Sequence, residues 1–239
     1  MPLLRTTDIT KRFGSLVVLD GVSLDIEPGG ALGIVGPNGA GKTTLLDMLT
    51  GAGRPQRGTV SLDGRDVTAL GATARCRLGI GRTHQVPRPF IDMTVFENVL
   101  VGATQGGGLR SSAAEDRTLQ ALEQTGMLEL GNRRADTLGL LDRKRLELGR
   151  ALATDPRVLL LDEIAGGLTD AETVTLVAQI RDLRERGIAI VWIEHVVHAL
   201  LQVAQRLVCL SAGRVIAEGD PDAVMRDPAV MSAYLGTTP

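Results

Sequence analysis

The run Gly36-Pro37-Asn38-Gly39-Ala40-Gly41-Lys42-Thr43-Thr44 fills every fixed position of the pattern G-x-x-x-x-G-K-[ST]. Residue types and spacing both suit phosphate. Gly36, Gly39 and Gly41 let the backbone turn tightly and bring its N–H groups against phosphate oxygens. A helix beginning near Lys42 adds the positive end of its dipole. Lys42 would reach the β- and γ-phosphates of a nucleotide, and the Thr43 hydroxyl would hold Mg²⁺. The flanks agree with this chemistry. Residues 31–35 predict a short buried strand, and residues 42–49 predict a helix that stops at Gly51.

Three further positions could act on a phosphate held there. Val158-Leu159-Leu160-Leu161 is followed by Asp162-Glu163. An acid at the carboxyl end of a buried strand lies where open α/β sheets bind ligands. Asp162 would hold Mg²⁺, and Glu163 would polarise an attacking water. His195 comes after Glu194 just beyond another apolar strand, residues 188–193, where an imidazole N–H could donate to the γ-phosphate and orient Glu163. Gln85, at the junction of the core and the helical insertion, could contact Mg²⁺ or the water; on sequence alone the reading as a polar loop residue prevails. His84 and His198 have no such support and read as structural or exposed.

The elements that must position these groups alternate. Residues 3–9, 17–19, 22–26 and 58–64 predict strands of an antiparallel region, with turns at 11–14 and 28–30. Residues 72–78 predict a short helix, and residues 79–85 a strand running into a loop set by Pro87 and Pro89. From 93 to about 150 the pattern is helical: a capping box from Thr94 to Glu97, helices at 112–125 and 142–154, and a flexible loop at 105–108. After Pro156, strands at 158–162, 188–193, 207–210 and 214–219 alternate with helices at 171–186 and 196–204. Short helices come last, at 223–226 and 229–235. The expectation is an α/β fold with a mostly parallel sheet, an antiparallel β-subdomain and an inserted α-helical subdomain. Residues 1–86 and 155–239 form the core and β-subdomain, and residues 87–154 the helical subdomain.

Composition excludes several classes. With 26 basic against 28 acidic side chains there is no basic field for nucleic acid. Aromatic residues make up 2%, too few for a base-stacking platform, so the core must be aliphatic. Cys76 and Cys209 are far apart, without metal or disulfide spacing, which suits a reducing cytosol. The N-terminus lacks a signal-peptide pattern, and no apolar run approaches the ~20 residues of a membrane helix.

Together these residues resemble an ABC-transporter ATP-binding subunit over essentially the whole chain. The resemblance implies a P-loop NTPase core, ATP and Mg²⁺ as ligands, and ATP hydrolysis coupled to transport. It also implies a nucleotide-sandwich dimer with a second ABC ATPase subunit, hetero- or homodimeric, at the cytoplasmic face of the membrane beside separate permease subunits. By the same resemblance Phe13 stacks on adenine, Val18 packs near the ribose, Gln85 occupies the Q-loop, and Gly166-Gly167-Leu168-Thr169 occupies the loop that crosses to the partner subunit. Gly79-Ile80-Gly81-Arg82-Thr83-His84-Gln85, the run 93–102, and the tail 213–219 with Ala233-Tyr234-Leu235-Gly236 look like the branched-chain amino-acid importers, which work with a periplasmic solute-binding protein. Urea and short-amide importers and the lipopolysaccharide-export ATPase share much of the pattern.

One stretch departs from the family. The signature Leu-Ser-Gly-Gly-Gln is replaced by Leu138-Gly139-Leu140-Leu141-Asp142. The serine hydroxyl is gone, two bare glycine backbones carry leucine side chains, and an acid stands where glutamine is usual. Asp142 would set a negative charge near a negative phosphate; it would also serve as an N-cap for the next helix. The departure leaves two readings: a heterodimer with one active and one weak site, or a weakly hydrolysing regulatory subunit. Ile164 also replaces the usual proline after the acid pair, and Gly149 sits inside a predicted helix at a cost of about 1 kcal/mol relative to Ala.

Overall fold

In β7 (Val158–Asp162) and β8 (Ala189–Ile193) every residue is buried. Strands read as unbroken apolar runs when both faces of a sheet are covered. Leu159, Leu161, Ile190 and Trp192 join one core cluster, while Val158, Leu160, Ala189, Val191 and Ile193 join another on the opposite face. The computed structural model describes residues 1–235; the Gly236 of the importer-like tail lies outside them.

These strands belong to a six-stranded sheet. The other members are β3 (Ala31–Val35), β6 (Ile80–Arg82), β9 (Arg206–Ser211) and β10 (Arg214–Gly219). The order is β10-β9-β3-β8-β7-β6, parallel throughout except for β10, which pairs antiparallel with β9 at the edge. A second, antiparallel sheet holds β1 (Leu4–Phe13), β2 (Leu16–Ile26), β4 (Arg57–Leu62) and β5 (Arg65–Asp66). Its apolar side packs with α1 (Lys42–Thr50) in the second cluster. The α/β expectation, with a mostly parallel sheet and a separate antiparallel one, is met.

Between β6 and β7 the chain is helical: α3 (Val95–Val101), α4 (Ser111–Gln124) and α5 (Leu140–Leu152), with α2 (Ala72–Arg77) just before β6. The capping box at Thr94 and Glu97 is present in both directions. Gly149 on α5 lies against α3 and the C-terminal end of α4: a Cβ there would stand 3.4 Å from Val99 Cγ2 and 3.5 Å from Thr125 Oγ1. The small residue thus admits close helix packing. After β7 come α6 (Asp170–Glu185), α7 (Val197–Leu201), α8 (Pro221–Met225) and α9 (Pro228–Leu235).

Three expectations need correction. Residues 11–13 are strand rather than turn, because irregularities between Thr6 and Arg12 let β1 bend and keep pairing with β2 as far as Phe13–Leu16. For the same reason residues 17–19 and 22–26 are one strand. Gln105 and Gly106 belong to a π-helical turn, Gly102–Gly106, rather than a loop. Gly102 presses on α5 so closely that a Cβ would come 2.5 Å from the Arg150 carbonyl oxygen, and the turn widens past it. Helix α5 begins at Leu140 with Gly139 as its N-cap, so Asp142 is not the cap; it stands in the first turn, paired with Arg145 Nη1 at 3.3 Å.

Candidate active site

Parallel register assembles the site. Ile34 pairs with Ile193, and Ile193 pairs with Asp162. The carboxyl ends of β3, β8 and β7 therefore lie level. The glycine loop leaves the end of β3, Glu194-His195 the end of β8, and Glu163 the end of β7. Residues more than a hundred positions apart meet because three strands end on one line.

The loop has the predicted strand before it and α1 after it. Gly36, Gly39 and Gly41 all take positive φ, at 147°, 81° and 102°. At Gly36 there is no room either: a Cβ would stand 2.0 Å from the Leu210 carbonyl oxygen. At Gly39 nothing lies within 4 Å. Gly36→Ala should therefore lower stability by more than about 3 kcal/mol, and Gly39→Ala by only about 1–2, the left-handed backbone cost alone. Urea unfolding of the two variants measures the difference.

Lys42 is buried, and its Nζ donates to the carbonyls of Gly36 at 2.7 Å and Pro37 at 3.1 Å. Burial lowers its pKa, against the opposing pull of Glu163, Cys209 and Asp162. Burial likewise pushes the Cys209 thiol up to about 11, which keeps it protonated and unreactive. Val18, Asn38, Gly39, Ala40, Gly41, Lys42, Thr43, Thr44 and Glu163 line a cavity of about 200 Å³. Val18 shares this cavity with the glycine loop. Phe13 is not among these lining residues; it is 58% exposed at the end of β1, with Lys11 Nζ 5.1 Å from its ring centre.

Glu163 is held in a left-handed backbone conformation, φ 47°, unusual for a side-chain-bearing residue and a recurrent mark of functional sites. Its N–H donates to the Ile193 carbonyl at 2.9 Å. Its carboxylate is gripped from two sides. His195 Nε2–H meets Oε1 at 2.8 Å, and Gln85 Nε2 donates to Oε2 at 2.5 Å. His84 and His198 are exposed and take no part in this grip.

Asp162 is buried with one oxygen, Oδ2, paired to Arg82 Nη2 at 2.9 Å. The other, Oδ1, is buried without a hydrogen-bond partner. A buried carboxylate oxygen left unpaired is costly unless a cation completes it. That orphan, with the exposed Thr43 at the head of α1 and an oxygen-only donor set, fits Mg²⁺ brought with nucleotide phosphates.

Three residues without motif spacing support these groups. Buried Glu194 accepts from the N–H groups of His195 and Val196 through Oε1, at 3.0 and 3.3 Å, and from Ala165 N–H through Oε2 at 2.9 Å. It ties the histidine loop to the segment after Glu163. Buried Lys144 reaches from α5 to the Glu163 carbonyl at 3.4 Å. Arg82 is the third. Glu194 carried one signal, an acid directly after an apolar strand; Lys144, between Arg143 and Arg145, carried none.

In the signature stretch Leu138 is buried and Gly139 caps α5. Leu140 is 44% exposed, with its Cδ2 3.3 Å from where a Cβ on Gly167 would lie. The leucine thus sits against this chain's own Gly166-Gly167 loop.

A parallel sheet with a glycine-lysine loop after one inner strand and an Asp-Glu pair after another is the architecture of a P-loop nucleotide hydrolase. Residues 19–166 match the family model for ABC transporters, and residues 214–238 that for the branched-chain amino acid ATP-binding cassette transporter. The chain is 36% identical to the high-affinity branched-chain amino acid transport ATP-binding protein BraF of Pseudomonas aeruginosa and 37% to LivG of Escherichia coli K12, over 98% of each chain in both cases. It is also 36% identical to the lipopolysaccharide export system ATP-binding protein LptB of Acidithiobacillus ferridurans, over 98% of this chain and 97% of that one. A nucleotide-free ATP-binding cassette from an ABC transporter superposes with a TM-score of 0.92 at 31% identity, covering 99% of this chain and all of that one. The ADP conformation of an ATP-binding cassette does so with 0.92 at 32%, with the same coverage. The chain belongs to the ABC transporter family and is an ATP-binding subunit, an ATPase. Among the described residues no helix is long and apolar enough to cross a membrane.

Proposed function

We propose that this chain hydrolyses ATP to drive import of branched-chain amino acids or similar small solutes. It works in a nucleotide-sandwich dimer with a second ABC ATPase subunit, against separate permease subunits at the cytoplasmic face of the membrane. A periplasmic solute-binding protein would deliver the solute, which never touches this chain. Residues 87–154 form its helical unit, inserted between 1–86 and 155–239.

The observation that carries the hydrolytic reading is Glu163 on the wall of the glycine-loop cavity, gripped by His195 and Gln85. Lys42 and the loop N–H groups would bind the β- and γ-phosphates, with Thr44 lining the same cavity. Phe13 and Val18 would flank the nucleoside. Thr43 and Asp162, with Gln85, would hold Mg²⁺, which when bound neutralises phosphate charge. Glu163 would accept the proton of the attacking water, and His195 would hold Glu163 in place. Substrate class is supported by the C-terminal match at 214–238; at 36% the identity to the lipopolysaccharide-export relative equals that to BraF, so overall identity alone does not choose.

The signature favours unequal sites. This chain's own cavity would close on a partner's signature, while the partner's cavity would face Leu138, Gly139, Leu140, Leu141 and Asp142. A second reading, a weakly hydrolysing regulatory subunit, draws on the same five residues. Steady-state ATPase of the purified chain, alone and reconstituted with permease and partner subunit in liposomes, tests both. Turnover should rise with leucine, isoleucine or valine presented by the binding protein. Stimulation by short amides or lipopolysaccharide instead would overturn the substrate reading, and no turnover in any assembly would overturn the hydrolytic one.

A further inference from the structure

Arg82, the last residue of β6, lies where three parts of the molecule meet. Its Nη1 contacts Asp47 Oδ1 on α1 at 2.6 Å, and its Nη2 contacts Asp162 Oδ2 on β7 at 2.9 Å. Its side chain is 12% exposed and that of Asp162 5%. It also lines a groove of about 460 Å³ between the sheet and the helices, with His84, Glu147 and Arg150. A carboxylate held by one oxygen has its other oxygen aimed. Here the held oxygen is Oδ2, and Oδ1 is left buried and without a partner.

We propose that Arg82 is a positioning residue for the metal acid. Its guanidinium fork fixes Asp162 against α1 so that the free oxygen faces Mg²⁺. The proposal rests on the reading of Asp162 as the metal acid. The fork matters because a planar guanidinium can span two carboxylates at set angles, whereas an ammonium is a point charge. Charge and geometry pull in opposite directions. The positive charge of Arg82 by itself repels a cation at Asp162. A residue acting only as counter-charge would lose nothing on Arg82→Lys, which keeps the charge and removes the fork.

The test uses the full chain and a fluorescent ATP analogue, bound first in chelator and then titrated with Mg²⁺. Arg82→Lys should raise the Mg²⁺ midpoint about tenfold, the lower end for residues that orient a metal ligand. Affinity in chelator should stay within about twofold, since the fork does not touch the glycine loop. Asp47→Asn, at a more exposed position, should move the midpoint the same way by less. It carries the test if Arg82→Lys does not fold. A midpoint unchanged or lowered, including a variant with lower Tm and normal Mg²⁺ response, makes Arg82 a structural tie only and overturns the proposal. If wild-type binding itself ignores Mg²⁺, the metal-acid reading fails and takes this proposal with it.

Discussion

Glu163→Gln should lower ATP turnover by roughly 10²–10⁴-fold, the range for removing a general base, while leaving ATP binding intact. The geometry separates the two effects. The amide is nearly isosteric and still has an oxygen to accept from His195 Nε2 or Gln85 Nε2. The left-handed backbone at Glu163 and its N–H bond to Ile193 do not depend on the side-chain charge. Only the capacity to take a proton is lost. Single-turnover hydrolysis and equilibrium binding of ATP, measured on the same preparation, check it. In mixed dimers the asymmetry should show. Glu163→Gln in this chain should nearly abolish turnover, and the equivalent change in the partner should do much less. Equal losses would mean that the sites are equivalent and the signature departure is without consequence.

Restoring the signature, Gly139→Ser, Leu140→Gly, Leu141→Gly and Asp142→Gln together, should raise hydrolysis at the partner's cavity. Each charge-assisted hydrogen bond regained is worth roughly 1.5–3 kcal/mol, about tenfold to a hundredfold. The structure permits the change. A Cβ at Gly139 meets nothing within 4 Å, and as the N-cap of α5 that position suits a serine. Leu140 is outside the buried core and lies beside Gly167. The cost is two glycines in the first turn of α5, about 1 kcal/mol each relative to alanine. The clean measurement is a mixed dimer in which this chain also carries Glu163→Gln, so that residual turnover reports the partner's cavity alone. No gain there would mean that residues outside 138–142 keep that site weak.

The groups that act locally were legible in the chain. The glycine loop, the acid pair and the ends of their strands depend on neighbours in sequence: a buried apolar run, then a turn that only glycine permits, then a helix start. His195 was legible as a residue at a strand's carboxyl end, and Gln85 by its place between core and helical insertion and by the family resemblance. Their shared grip on Glu163 needed the sheet. Arg82, Glu194 and Lys144 were not legible in these roles, because each is a charged residue whose partner lies on another element. The start of α5 was misplaced for a related reason. Asp142 is a good cap by type, but Gly139 takes the extended backbone that a cap requires.

By itself the sequence determined a glycine-lysine loop, an Asp-Glu pair closing a buried strand, and a departure from the family signature, since each is a property of consecutive residues. Only the tertiary structure decided that these meet. Parallel pairing of Ile34 with Ile193, and of Ile193 with Asp162, levels three strand ends, so that residues 36–44, 163 and 195 converge on one edge. It also decided which oxygen of Asp162 is held and which is free. Register between strands is a long-range outcome of burying both faces of the sheet, and no local spacing encodes it.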